Sequence, residues 1–184
     1  RDRLRLYANI NRHVRDRTPE GFARAAAEAV AEGFTAVKLA PFDEVRLPDH
    51  VRTGPKAAWR PGVARVRAVR EAIGDELDLA IDCHGRMEAS EAIVVGRELA
   101  DCNLLWYEEP VKHTFPDQLA LISRAVPMPT ASAESVFAVE GFDRASMSAL
   151  AREAGISKAN IYHYYDSKDA LLFDLLDSHL KDLR

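Results

Sequence analysis

Apolar and polar positions follow two alternating periods along the first 135 residues. Stretches with a period of two, or with continuous apolar character, predict strands, and apolar residues spaced three or four apart predict helices. The predicted strands cover residues 4–10, 36–39, 77–81, 104–107 and 130–133. The predicted helices follow Thr18 as far as Gly33 and then cover residues 63–73, 90–100 and 116–125. Five strands alternating with four helices indicate a parallel sheet with helical crossovers, an α/β partial (β/α) barrel.

The ends of the first two helices carry specific signals. Thr18 is a favourable N-cap, and Pro19 behind it suits the first helical position. Gly33 and Gly74 follow the last periodic residues and predict helix C-termini. Between the second strand and the second helix, residues 41–60 are rich in Pro, Arg and His and predict a long loop.

The pattern changes after Ser135, beyond which no strand is predicted. Helical segments are expected up to Gly141, over residues 147–154 and 158–165, and from Ser167 onward. Gly155 supplies the tight turn that is typical of a helix-turn-helix pair. We therefore predict two domains: residues 1–135 form the partial barrel and residues 136–184 an all-α helix-turn-helix bundle. A linker rich in flexible residues is absent, which indicates a direct junction.

The composition, 47% hydrophobic and 29% charged, is typical of a soluble globular protein. There is no apolar run long enough for a membrane span or a signal peptide, and two cysteines are too few for a disulfide framework, so a cytoplasmic location is expected. The net charge of −4 argues mildly against nucleic acid as a partner of the whole surface. The oligomeric state is left open.

Three acidic residues stand at the carboxyl ends of successive predicted strands. Glu108 follows Asp82 by 26 residues, and Glu134 follows Glu108 by another 26. One strand-helix unit separates each pair, so adjacent strands should present the carboxylates side by side at the end of the barrel where active sites lie. Such an oxygen donor set suits Mg²⁺. The alternative is that these are ordinary solvated acidic residues.

The segment 4–134 resembles the mandelate-racemase-like branch of the enolase superfamily. The resemblance rests on 36–38 (AVK), 81–82 (ID), 108–110 (EEP) and 133–134 (AE), the last differing by one methyl group from the usual Gly-Glu. It implies that Mg²⁺ is held by Asp82, Glu108 and Glu134 and that a Lys or His base removes a proton next to a substrate carboxylate.

His84 narrows the resemblance to the acid-sugar dehydratases. A His two residues beyond the metal aspartate implies an acid that protonates the departing hydroxyl of a sugar acid, and positions i and i+2 share a strand face. A loop His with only local hydrogen bonds is the alternative. Lys38 is interpreted as a substrate-binding or charge-stabilising group, because Ala40 stands where a Lys-x-Lys pair would place the base.

The tail resembles the DNA-binding domain of TetR-family repressors. Ser146 and Ser157 are expected to cap two helices, and the recognition helix is expected to turn three side chains toward a DNA groove. The resemblance also implies phosphate contacts from an aromatic and a basic side chain. The groove-facing residues are Lys158, Asn160 and His163, and the phosphate contacts are Tyr162 and Lys168. A generic amphipathic bundle is the alternative, and residues 136–184 hold six basic and eight acidic side chains.

Both resemblances cover only part of their families. The first implies a capping domain, three further strands and a distal base that this sequence lacks, and the second a longer first helix and a dimerising domain. We therefore expect a hybrid in which neither activity is complete, with weak DNA binding and no measurable dehydration. A functional DNA-binding transcriptional regulator and a Mg²⁺-dependent sugar-acid dehydratase are the alternatives.

Overall fold

A computed structural model describes residues 6–12, 14–45, 57–112, 114–132, 146–148 and 166–171. The chain divides into two compact units: residues 6–130 form one, and residues 1–5 with 131–184 form the other. Each is described by itself.

Five strands form one sheet in the order β1-β2-β3-β4-β5. Their bounds are Ala8–Asn9, Ala36–Leu39, Asp78–Asp82, Leu104–Glu108 and Thr130–Ala131. The first four pair in parallel, and β5 lies next to β4. Since each strand neighbours the next in sequence and a helix separates them, the predicted partial barrel with parallel strands is confirmed.

Four α-helices connect the strands. They are α1 (Pro19–Ala31), α2 (Arg60–Ile73), α3 (Ala89–Glu98) and α4 (Pro116–Ala125). Thr18 caps α1 as predicted, because its hydroxyl accepts the N–H of Gly21 at 3.1 Å. Gly74 ends α2 with a φ of 71°, a conformation that favours glycine. The predicted bounds of α4 are also confirmed.

Two predicted elements were too long. The first strand was predicted over residues 4–10, but β1 is only Ala8–Asn9 and passes into a 3₁₀ turn at Ile10–Arg12. Leu6 and Tyr7 are described and lie outside the strand, whereas residues 4 and 5 of the predicted strand lie outside the described residues. The third helix was predicted to reach residue 100 but ends at Glu98. A separate 3₁₀ turn, Ala100–Cys102, follows it, and Asn103 after this turn has a left-handed backbone conformation.

The core lies between the sheet and the helices. Large side chains that are fully buried come from both layers, and they include Phe22, Leu39, Leu79, Tyr107 and Ile122. Helix α2 approaches the loop after β2 so closely that a Cβ at Gly62 would lie 2.2 Å from the Phe42 ring. A glycine is therefore required at this contact.

The second unit is described at two short stretches. Residues 147–148 are helical and follow Ser146, and residues 168–171 are helical and follow Ser167. Met147 and Leu171 are buried within it. Over all the ranges described, no helix combines the length and apolar character that a bilayer crossing requires.

Candidate functional site

The strands bring three predicted site residues together at one end of the sheet. Asp82 ends β3 and Glu108 ends β4, and the two are register partners. Lys38 lies on β2 opposite Ala80, one step along the same face from Asp82. Because Ala80 is small, the long Lys38 side chain can extend across it toward the two carboxylates. The local sequence thus places one cation and two anions at the same point.

The ammonium of Lys38 bridges the two carboxylates. Its Nζ lies 2.6 Å from Glu108 Oε2 and 3.2 Å from Asp82 Oδ2. All three side chains are largely buried, with exposed fractions of 10%, 11% and 14% for Lys38, Glu108 and Asp82. The carboxylates therefore point at a common location rather than outward into solvent.

The charges in this cluster shift the pKa of its members. Burial alone would lower the pKa of Lys38, but the nearby charges of Glu108, Asp82 and Tyr7 outweigh burial and raise it well above its ordinary value. Burial would raise the pKa of Asp82, yet Lys38 and His84 hold it well below its usual range. Lys38 and Asp82 are therefore both charged at neutral pH.

His84 joins the cluster from the loop after β3. Its Nε2 lies 3.3 Å from Asp82 Oδ2, and its backbone N–H donates to Asp82 Oδ1 at 3.0 Å. The hydrogen bond to Asp82 raises the pKa of His84 above its ordinary value, although burial opposes this. The imidazole is 40% exposed. It can therefore hold a proton at the edge of the site and still reach a bound molecule.

A backbone ladder fixes the two loops that carry these groups. Cys83 N–H donates to Glu108 O at 2.9 Å, and Gly85 N–H donates to Glu109 O at 2.8 Å. The turn requires positive φ at His84 (52°) and at Gly85 (62°). A Cβ at Gly85 would lie 3.0 Å from Lys112 Cα, so glycine also permits the close approach of the second loop. A cavity of 360 Å³ lies beside these loops and is lined by Met87, Glu88, Ala89, Ser90, Lys112, Phe115 and Gln118.

Three arginines hold the loop after β2, an arrangement that the sequence pattern did not reveal. Arg17 donates to Asp43 Oδ2 at 2.6 Å, and Arg65 makes two hydrogen bonds to Glu44, at 2.8 and 2.6 Å. Arg86 donates to the carbonyl of Phe42 at 3.0 Å. These contacts tie the loop to residues that are distant from it in sequence.

Trp106 was also missed. Its indole N–H donates to Glu108 Oε2 at 3.0 Å. The available signal was its position two residues before Glu108, which places both side chains on one strand face. Burial raises the pKa of Cys83 and of Tyr107 well above their ordinary values, so both side chains next to the cluster stay protonated at neutral pH.

The remaining predicted site residues are not brought to this cluster by the described structure. Glu134 lies outside the described residues, and so do Ser157, Lys158, Asn160, Tyr162 and His163. Within the residues described, no three His, Cys, Asp or Glu side chains are grouped closely enough to hold a metal ion. Ser146 is exposed directly before a helical stretch, and Lys168 is the first helical residue after Ser167.

Comparison with known proteins assigns this arrangement to a class. Residues 21–154 match the family described as "Enolase C-terminal domain-like". The chain belongs to this family. The match extends beyond the predicted boundary at residue 135, into the segment for which a helix-turn-helix was predicted.

Individual relatives agree with that assignment. A D-gluconate/D-galactonate dehydratase of Picrophilus torridus is 34% identical over 141 residues, which are 77% of this chain and 34% of the relative. A D-xylonate dehydratase of Haloferax volcanii is 31% identical over 74% of this chain and 34% of its own length. The chain thus spans about a third of the length of these curated relatives.

Solved structures show the same fold. A mandelate racemase/muconate lactonizing enzyme-like protein from Roseovarius sp. TM1035 superposes with a TM-score of 0.68 at 28% identity, over 83% of this chain and 39% of that one. A member of the enolase superfamily from Salmonella Typhimurium gives a TM-score of 0.63 at 26% identity, over 74% and 38%.

Proposed function

We propose that residues 6–132, with Glu134, supply the Mg²⁺-binding and proton-donating side of an acid-sugar dehydratase. The observation that carries the proposal is the convergence of Asp82 and Glu108 on one cation, the ammonium of Lys38. Two buried carboxylates that converge on one cation supply hard oxygen donors of the kind that Mg²⁺ prefers. Glu134 follows the next strand in the sheet and is the proposed third ligand.

The residues of the chain divide the chemistry among them. Bound Mg²⁺ would stabilise the negative charge that develops when the distal base implied by the resemblance takes the proton from the carbon next to a substrate carboxylate. His84 holds a proton at Nε2 and gives it to the hydroxyl that leaves the adjacent carbon, so that water departs. Lys38 adds positive charge beside the substrate carboxylate. The relatives act on gluconate, galactonate and xylonate, and a sugar acid is the substrate class proposed here.

Calorimetric titration with Mg²⁺ tests the metal site. Wild type should bind one ion, and Glu108→Gln and Asp82→Asn should each lose at least tenfold in affinity, because each removes a charged ligand. Asp78→Asn is the matched control, because it changes an Asp at the opposite end of the same strand. Equal affinity in wild type and Glu108→Gln would reject the proposal.

The role of His84 is tested separately. His84→Asn should leave Mg²⁺ affinity within a few-fold of wild type and abolish any dehydration of D-gluconate, D-galactonate or D-xylonate. A general acid contributes on the order of 10²–10⁴-fold, so its loss is measurable wherever turnover is detected. Unchanged turnover would remove His84 from the mechanism.

We also propose weak DNA binding by residues 136–184, which rests on the second unit. Ser167 Oγ accepts the N–H of Ala170 at 3.1 Å, so the helix that begins at Lys168 has a capped N-terminus with a basic side chain at its start. Such a terminus attracts phosphate groups. The excess of acidic side chains in this segment favours weak, salt-sensitive binding over specific recognition.

Fluorescence anisotropy with mixed duplex DNA at two salt concentrations tests this second proposal. Wild type should bind more weakly than the 10⁻⁸–10⁻¹¹ M range that is typical of specific complexes. Lys168→Gln should weaken binding further, whereas Lys112→Gln, an exposed lysine of the other unit, should not. Absence of binding at low salt would reject DNA as a partner.

A further inference from the structure

Glu108 receives a second, uncharged donor in addition to Lys38. The indole Nε1 of Trp106 lies 3.0 Å from Glu108 Oε2, the same oxygen that accepts from Lys38 at 2.6 Å. Both residues are on β4, two positions apart, so the contact is set by the pleat of the strand rather than by a flexible loop. The donor therefore approaches Glu108 from within its own strand.

The indole is itself held in place. Its ring meets the Tyr7 ring edge-on, with centroids 6.0 Å apart and planes at 79°. The Tyr7 ring in turn lies 5.6 Å from Lys38 Nζ. Small Ala80 occupies the register position between Lys38 and Trp106, which leaves room for both large side chains. Trp106 is thus confined by Tyr7 on one side and hydrogen-bonded to Glu108 on the other.

The two donors to Glu108 respond differently to a divalent cation. The Lys38 ammonium carries a charge that an arriving cation repels, so its hydrogen bond to Glu108 is weakened when a metal binds. The indole N–H is neutral, donates only and is not repelled. It can therefore keep Glu108 Oε2 oriented through the exchange of one cation for another.

We propose that Trp106 is a positioning residue, which fixes the side-chain conformation of Glu108 for binding of a small divalent cation. This inference rests on the proposed function, because it takes Glu108 as a Mg²⁺ ligand. Partners that orient a metal ligand typically contribute 10–100-fold to metal affinity. Mg²⁺ demands strict octahedral geometry, whereas Ca²⁺ accepts flexible coordination. Loss of the Trp106 hydrogen bond should therefore weaken Mg²⁺ binding more than Ca²⁺ binding.

The test replaces a single N–H group in the full chain. Incorporation of 3-benzothienylalanine at position 106 exchanges the indole N–H for sulfur and preserves the size and shape of the ring. The same analogue at Trp59, the other tryptophan of the chain, is the matched control. Affinities for Mg²⁺ and Ca²⁺ are measured by calorimetry, and melting temperatures are measured without metal.

The analogue at position 106 should bind Mg²⁺ 10–100-fold more weakly than wild type, with a smaller loss for Ca²⁺ and an unchanged metal-free melting temperature. The analogue at position 59 should match wild type. Wild-type Mg²⁺ affinity in the position 106 variant, or an equal loss for both cations, overturns the positioning role while the metal site stands. Failure of the wild-type chain to bind Mg²⁺ instead rejects the metal site itself, and the inference with it.

Discussion

Lys38 contacts two carboxylates in the structure, a pairing that its position at a strand end did not indicate. A lysine at a strand end is weak evidence for any function, and its distance from the carboxylates depends on side-chain geometry that no pattern encodes. In the structure it neutralises two buried carboxylates at once. Removal of one partner from a buried ionic cluster leaves uncompensated charge, which is a large destabilising effect.

Lys38→Met should therefore destabilise the metal-free protein by about 3–5 kcal/mol, the range found when a buried ion pair loses one partner. Mg²⁺ should recover part of this loss, since a divalent cation can neutralise the same carboxylates. Thermal denaturation with and without Mg²⁺ measures both effects. Lys112→Met, at an exposed lysine, is the control, and a Lys38→Met protein as stable as wild type without Mg²⁺ would contradict the prediction.

At the scale of elements, the helices that flank the site depend on local end signals. Helix α1 begins where the Thr18 hydroxyl accepts the N–H of Gly21 and where Pro19 fits the first turn. Helix α2 ends at Gly74, whose backbone N–H donates to the carbonyl of Arg70. These interactions join residues that are close in sequence, which explains why both ends could be predicted from the sequence.

Thr18→Ala should lower the free energy of unfolding by about 1 kcal/mol, because it removes the hydrogen bond that caps α1. Thr18→Ser retains the hydroxyl, and its free energy of unfolding should stay within a few tenths of a kcal/mol of the wild-type value. Urea denaturation followed by circular dichroism distinguishes the two. If the Thr18→Ala and Thr18→Ser proteins had the same free energy of unfolding, the cap would contribute nothing to the stability of the folded state.

The loop after β2 is joined to α2 by the charged contact of Glu44 with Arg65, and this contact affects the acid stability of the whole molecule. Hydrogen bonds from Arg65 lower the pKa of Glu44, against a smaller opposing effect of burial. A carboxyl group with a lowered folded-state pKa contributes stability above its unfolded pKa of about 4.3. That contribution is lost as the pH falls through the folded-state value.

Glu44→Gln should consequently melt at a lower temperature than wild type at neutral pH. The difference between the two proteins should shrink as the pH is lowered below about 4, where wild-type Glu44 also becomes neutral. Melting curves across this pH range provide the measurement, with Glu28→Gln on the exposed face of α1 as the control. A difference in melting temperature between wild type and Glu44→Gln that stays constant from neutral to acidic pH would contradict the stabilising contact of Glu44 with Arg65.

For the molecule as a whole, the structural features that could be predicted from the sequence are those set by the local effect of a single residue type. The order of strands and helices, the caps of α1 and α2, and the positions of Asp82 and Glu108 at paired strand ends follow from periodicity and from the rules of parallel sheets. The short β1 and the donor Trp106 did not follow, because strand length depends on the partner and side-chain contacts depend on packing. The arginine network was missed for the same reason: it joins residues that are distant in sequence.

The backbone ladder between the loops after β3 and β4 has a consequence for evolution of the site. Main-chain hydrogen bonds from Cys83 to Glu108 and from Gly85 to Glu109 do not depend on which side chains the loops carry. Side chains around His84 can therefore be exchanged without moving the His84 imidazole away from the carboxylate of Asp82. If the proposed function holds, such a scaffold would let selection alter which sugar acid binds while His84, Asp82 and Glu108 keep their spacing.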